Sequence, residues 1–442
     1  MKPSKYLAGL SAFAFSTAAY ADVTVNITGA TAFRAAALAS IKSKYLAAGT
    51  PSFKFAHDQT AGSLTGATRA IFIGTFPGVT GNTTIRCCFT GSVEGVRALV
   101  PGVTDPLPPT YYQSTLLDVT TATGSGAELA SQGTTGAAAL GGISDIAFSD
   151  VSKAATPYAS YSLQPASPNA GVIVFTMLTN EGSLVTNVTS QQFRALLTSG
   201  YQPLRLFTGN AADTNLVFAT GRNDGSGTRT TYLAESGYGI VKAVKQYVTN
   251  ISDATTLGTI QLVPAGGVNS PLLTGQSASN ASTVWGQDVA GNGGYNSGST
   301  LRTDMGKTGA SVTVLDETGT DAFGGPIPVS LVTWLSVNDA VNARNNGAIF
   351  CAYNGVKLDG IAASGTSMTA ADKAKVTEGI YTAWGYERMY RRNDVTTGDI
   401  KTVYDAIKAA IPLPANLGSA GIALTDMHVS RSVDGGLVAP SF

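Results

Sequence analysis

The segment Arg222-Asn223-Asp224-Gly225-Ser226-Gly227-Thr228 carries the residue types best suited to holding a ligand. Gly225 to Thr228 would crowd backbone N–H donors and two hydroxyls at a helix start, where the helix dipole is positive. Arg222 adds a planar charged fork that can grip two oxygens of one anion. Asp224 either orients Arg222 or caps the turn. Two other segments share the design. Val25-Asn26-Ile27 runs into Thr28-Gly29-Ala30-Thr31, and Cys88-Phe89 runs into Thr90-Gly91-Ser92, each followed by helical spacing. Ser and Thr cap helices for purely structural reasons, so these two turns alone carry little weight. The arginine and the paired glycines make the third turn specific for an anion. It is not a nucleotide-binding P-loop, because the lysine of that motif is missing.

Such turns need strands to deliver them and helices to follow them. Val23 to Ile27 alternates as a β-branched strand, and Thr31 to Ala48 has helical spacing through Phe33, Ala36, Leu38, Ile41 and Tyr45. Ile71–Phe76 and Thr84–Phe89 read as strands, with a helix following through Val96, Leu99 and Val100. Asp145–Phe148 is a short strand ending at Ser149-Asp150, and Val172–Met177 is a continuous apolar strand of the kind buried on both faces. Ser190–Leu197 reads as a helix, Leu216–Thr220 as a strand and Thr231–Leu233 as part of a helix. Strands near Thr259–Val263 and Ser311–Leu315, apolar runs at Leu331–Val337 and Ala348–Tyr353, and helices at Ala370–Glu378 and Asp399–Ile411 complete the pattern. Alternation of strands with helices predicts an α/β chain with mixed, largely parallel sheets. Residues 101–140, rich in Thr, Gly, Ala and Pro, read as a long insertion with some helix, and residues 251–330, rich in Gly, Ser and Asn, read as a second, loop-rich one.

Composition narrows the function classes. The 442 residues are enough for two domains, and 43% of them are hydrophobic, enough for a sizeable core. Lys plus Arg equals Asp plus Glu at 28 each, which argues against a nucleic-acid surface and against docking on anionic membranes. His57 and His428 are the only histidines, and neither sits in a catalytic motif; no GxSxG, HExxH or paired-acid signature occurs. The chain therefore reads as a non-enzyme without cofactor or metal. Glu387 beside Arg388, Arg391 and Arg392 reads as a solvated helix face or a salt-bridge group. Of Cys87, Cys88 and Cys351, either one of the adjacent pair bridges to Cys351 or all three are buried thiols. Met1–Ala21 has the charged, apolar and small-residue order of a secretory signal peptide, with cleavage expected after Ala21. No later apolar run is long enough to span a bilayer. The mature chain is expected to be periplasmic or secreted, monomeric and not inserted in a membrane.

Arg222 to Thr228 resembles the R-x-D-G-S-G-T signature of the phosphate-binding proteins of ABC importers (PstS type). Thr28-Gly29-Ala30-Thr31 resembles their opening T-G-A-G-A-T-F segment, Gly91 to Val96 their G-S-S-G-G-V helix start, and Phe148-Ser149-Asp150 the S-D segment that follows. The order of the motifs is the family's order. The resemblance implies a two-lobed, class II periplasmic-binding-protein-like fold with Gly/Ser/Thr-rich insertions. One lobe would hold residues 22–175 and 380–442, the other 176–379. It implies phosphate, or a related oxyanion, held by Thr31, Ala32, Ser92, Asp150, Arg222, Ser226, Gly227 and Thr228, with Asp224 in support. Asp150, an acceptor, would face only an oxygen that carries a proton, favouring phosphate over sulfate. An ABC permease is the implied partner. An extracellular adhesive or matrix role on the same fold is the competing reading, suited to the polar insertions. Two departures stand out: Ala32-Phe33-Arg34 replaces the family's Phe-Pro, and Glu94 replaces a glycine close to the expected anion, with Arg34 available to offset it.

Overall fold

The computed structural model describes residues 22–47, 53–60, 62–102, 143–251, 253–263, 293–295, 297–363, 365–418 and 421–441, with short strands at 110–111, 127–128, 140–141 and 278–279. The signal-peptide reading of 1–21, and much of the two insertions, lie outside the described residues.

The elements that matter to the site follow the chain. They are β1 (Val23–Gly29), α1 (Arg34–Ala47), β2 (Lys54–His57), β3 (Arg69–Thr75), β4 (Asn82–Cys88), α2 (Ser92–Ala98) and β5 (Ile146–Ser149). Then come β6 (Asn169–Thr179), α3 (Ser190–Ser199), β7 (Leu216–Ala219), α4 (Gly227–Glu235), β8 (Val329–Ser336), α5 (Val337–Asn345), β9 (Ile349–Tyr353), β10 (Trp384–Arg392) and α6 (Gly398–Ala410).

The protein is a mixed α/β fold whose main sheet falls into two groups of strands, or lobes, joined by β6. Its first half pairs with β10, Val172 opposite Tyr386 and Val174 opposite Trp384. Its second half pairs with β8, Phe175 opposite Ser336 and Thr179 opposite Val332, and with β9. One buried strand thus serves two groups of strands. On one side lie β10, β5, β1, β4, β3 and β2; on the other lie β8 and β7. Parallel pairing joins the strands that feed the ligand-type turns, β1 with β4, β1 with β5, and β7 with β8, and recurs in short pairs elsewhere, such as Lys54–Phe55 with Ala127–Glu128 and Thr259–Gln261 with Thr313–Leu315. Around them the pairing is antiparallel, including β10 with β5 and β3 with β4. The sheets are mixed, as expected, with antiparallel pairs outnumbering parallel ones among the described strands.

Helices close the faces for the usual reason, an apolar stripe. Phe193, Leu196 and Leu197 of α3 are buried, and Phe193 packs against Trp334 of β8. Val403, Tyr404, Ile407 and Ala410 form the buried stripe of α6. Cys87, Cys88 and Cys351 are all buried thiols outside any disulfide, which is the second of the two alternatives expected for them. Among the described residues, no helix is long and apolar enough to cross a membrane.

Candidate functional site

Parallel strands point their carboxyl ends the same way, so turns that follow them share one edge. This geometry gathers Thr31 after β1, Ser92 after β4 and Asp150 after β5. Each junction is tight. Gly29 has φ +116°, a conformation that L side chains rarely adopt, and a Cβ there would overlap the Phe148 carbonyl oxygen. The Ala30 N–H donates to Phe148 O (2.8 Å), and the Gly91 N–H donates to Gly29 O (2.9 Å). The three turns are thereby tied into one block. Gly29→Ala is expected to destabilise the fold by about 3 kcal/mol or more, combining left-handed strain with overpacking on backbone; denaturant unfolding of the variant checks this.

The fourth segment arrives from the other lobe. β7 ends at Ala219, and residues 222–228 reach across to the first block. The Val93 N–H donates to Gly225 O (3.2 Å), and a Cβ on Gly91 would lie 2.5 Å from that same oxygen. Arg222 Nη1 donates to Thr31 Oγ1 (3.2 Å). The Asp150 N–H donates to Ser92 Oγ (3.1 Å). A Cβ on Gly227 would fall against Ser92 Oγ, 2.6 Å from Ser92 Cβ and 2.8 Å from Asp150 Oδ2. Ser92, Asp150, Arg222, Asp224, Ser226 and Thr228 are all buried, Ala32 is 8% exposed, and Thr31 is half-buried. The residues expected from sequence therefore occupy one place where the lobes touch.

Capping differs in detail from the expectation. Ser226 is the N-cap of α4 but its hydroxyl makes no capping bond. At α2 the cap is Gly91, and Ser92 is the first helical residue. Thr31 lies in a turn ahead of α1.

Arg222 is the electrostatic centre. Its Nε donates to the Tyr295 carbonyl (2.9 Å), and Gln246 Nε2 donates to the Arg222 carbonyl (3.0 Å). Tyr295 is itself fixed, its hydroxyl donating to Asp304 Oδ2 (2.7 Å). Burial lowers the Arg222 pKa to about 10; Asp339 and Asp150 pull it back up, while Arg34 adds to the lowering. The guanidinium thus stays charged at neutral pH, held among two carboxyl groups and a second arginine. Tyr295 belongs to a tract that reads as a polar insertion, and nothing in its sequence signals this bracing role. Asp339 is also invisible in sequence. It sits in the first turn of α5, where its N–H donates to the Ser336 side chain and its carboxylate receives Arg302 Nη1 (2.9 Å).

The two departures from the family pattern find partners. Glu94 is ion-paired with Arg97 one helical turn on, so its charge is offset locally. Arg34 is buried and donates to Thr68 Oγ1 (3.5 Å). Burial lowers its pKa, opposed chiefly by Asp339. Glu387 contradicts its reading as a solvated helix residue. It lies on strand β10 and is fully buried, because β10 runs inside the sheet between β5 and β6 and is covered on both faces from Glu387 to Arg391. His57 and His428 each pair with a glutamate, Glu128 and Glu378, outside the gathered turns.

An α/β protein of two lobes, with polar turns from both meeting around one buried arginine, is the class that fold and site define. Three solved structures are similar over most of their length. One is described as a phosphate ABC transporter substrate-binding protein with bound phosphate from Clostridium perfringens, at 12% identity and TM-score 0.42, covering 90% of this chain and 99% of that one. Another is an ABC-type phosphate transport receptor from Vibrio cholerae, at 12% identity and TM-score 0.41, covering 87% and 93%. A third is PstS from Borrelia burgdorferi, at 11% identity and TM-score 0.36, covering 91% and 98%. No protein-family model matches the chain, and no curated protein matches it.

Proposed function

We propose that this protein is an extracytoplasmic solute-binding protein that captures an oxyanion, inorganic phosphate foremost, between its lobes and passes it to an ABC-type permease. The lobes would comprise residues 22–175 with 380–442, and 176–379. The supporting observation is that four separate segments bring one arginine, one carboxyl group, three hydroxyl residues besides Thr31 and several glycine-exposed N–H groups to the same buried contact. A buried anion loses its hydration, so each oxygen needs a partner. Thr31 with the Ala32 N–H, Ser92, and Ser226 with Gly227 and Thr228 supply neutral donors, and Arg222 supplies charge. Asp224, buried in the same turn, supports it. This division suits a chain with no net positive charge. A ligand touching both lobes would stabilise their contact by differential binding. In this reading the role is capture without chemistry.

Asp150 gives the reading its selectivity. As a carboxylate it accepts hydrogen bonds only, so it suits phosphate, which keeps a proton near neutral pH, and repels sulfate, which does not. Equilibrium titration of the mature chain with phosphate, arsenate and sulfate tests the function directly: saturable phosphate binding with sulfate rejected is expected, and no saturable binding refutes it. Asp150→Asn should lose discrimination, with sulfate competing about tenfold or more better, because a neutral amide removes the repulsion. Unchanged selectivity in a competition assay would reject that role.

A further inference from the structure

Glu387 and Asp150 form a buried pair of carboxyl groups at the floor of the gathered turns. Register places them together: β10 runs antiparallel to β5 with Arg388 opposite Ser149, so Glu387 lies beside the residue that follows β5. The two carboxyl groups act on each other's protonation. Yet neither Glu387 oxygen, nor Asp150 Oδ1, meets an N–H or O–H with hydrogen-bond geometry among the described residues. Asp150 Oδ2 lies on the other side, against Gly227. Two carboxylates bring no proton to each other, and facing lone pairs in a dry interior is costly. One proton between them satisfies both.

The surrounding charges do not replace that proton. Arg388 shares the strand with Glu387, but its Nη2 donates to Asp434 Oδ1 (2.8 Å) and its Nη1 to the Tyr386 carbonyl (3.0 Å) and the Asp150 backbone carbonyl (3.4 Å). Arg222 faces Asp150 from the other lobe but donates to Tyr295 O and Thr31 Oγ1. Tyr390, also on β10, is a further titratable neighbour, and its hydroxyl accepts from the Lys153 N–H (3.0 Å).

We propose that Glu387 is a positioning residue for anion selection: it stays protonated and donates to Asp150, which fixes Asp150 as an acceptor-only carboxylate toward the ligand. This rests on the oxyanion reading above. Burial first, then the Asp150 charge, pushes the Glu387 pKa well above the usual carboxyl range; Arg388 and the Ser149 amide oppose this without reversing it. Burial also raises Asp150, with Glu387 itself as the largest opposing influence. Such a pair titrates as a unit. When a second proton enters at lower pH, Asp150 becomes a donor and the site no longer demands a protonated ligand. Sulfate rejection therefore weakens on acidification.

The proton on Glu387 has a readout that needs no ligand. A carboxyl with a raised folded pKa takes up a proton on folding, so its contribution falls as pH rises above the unfolded value of about 4.3. Glu387→Gln keeps the donor and the shape but has no proton to take up. Its melting temperature relative to the parent protein should climb steadily between about pH 5 and pH 8. A constant difference across that range means that Glu387 is ionised and overturns the proposal. The second readout is phosphate–sulfate competition across pH. Glu387→Leu removes the donor from Asp150, so sulfate should compete about tenfold or more better at neutral pH, with its pH profile displaced upward. Glu387→Gln should stay within about threefold of the parent protein, the proton donor being conserved. Equal selectivity in all three proteins overturns the role while leaving phosphate capture intact. Absence of saturable phosphate binding by the parent protein refutes the oxyanion reading and the selectivity role with it, and the melting series still reports where the proton sits.

Discussion

Arg222→Ala is expected to weaken phosphate binding by about 30-fold to several thousand-fold, equivalent to about 2–5 kcal/mol. The size follows from burial. An anion drawn into this contact gives up water on all sides, and Arg222 is the charged donor that reaches the Thr31 turn of the opposite lobe. Its guanidinium is held in place by the Tyr295 carbonyl, and its backbone by Gln246, so little side-chain freedom is lost on binding. Removing it leaves Asp150 and Asp339, which both act on Arg222 in the parent protein, to repel the incoming anion. Arg222→Lys keeps the charge but not the fork, and should recover only part of the loss. Calorimetric titration at neutral pH checks both variants; wild-type affinity in Arg222→Ala would remove the anion site from these turns.

That site was largely legible because its chemistry is local. Arg222, Gly225, Ser226, Gly227 and Thr228 lie within one short stretch, where an arginine beside paired glycines and hydroxyls at a helix start makes a specific pattern. The same holds for the strands. Val172–Met177 reads as doubly buried, and the structure extends it to Asn169–Thr179. Its division between two groups of strands is not readable, because pairing partners are a property of the whole chain. Glu387 is the clearest failure. A run containing Glu387, Arg388, Arg391 and Arg392 looks solvated, since buried charges are rare unless paired. Its partners, Asp150 for Glu387 and Asp434 for Arg388, come from distant segments, so no local pattern announces them. Tyr295 was hidden for a different reason: it contributes a carbonyl oxygen to Arg222, and every residue type carries one.

Gly227→Ala separates the contact between lobes from the stability of each. In an isolated helix the change is favourable by about 1 kcal/mol, because alanine has the better helix propensity. Here Gly227 opens α4 directly against Ser92 and Asp150 of the other lobe. Rotating the Ser92 hydroxyl away does not make room, since the added methyl would also lie 2.6 Å from Ser92 Cβ and 2.8 Å from Asp150 Oδ2. The lobes must then part at the proposed anion site. Parting them relieves the overlap while leaving the core of each lobe untouched. The variant should therefore melt within a few degrees of the parent protein, yet bind phosphate about a hundredfold more weakly or not at all, because both sets of donors no longer reach one anion. Small-angle scattering should show a larger radius of gyration that added phosphate fails to reduce. Parent-like affinity with a raised melting temperature would mean that the two lobes do not meet at Gly227 when the ligand is bound, and the bridging geometry would have to be abandoned.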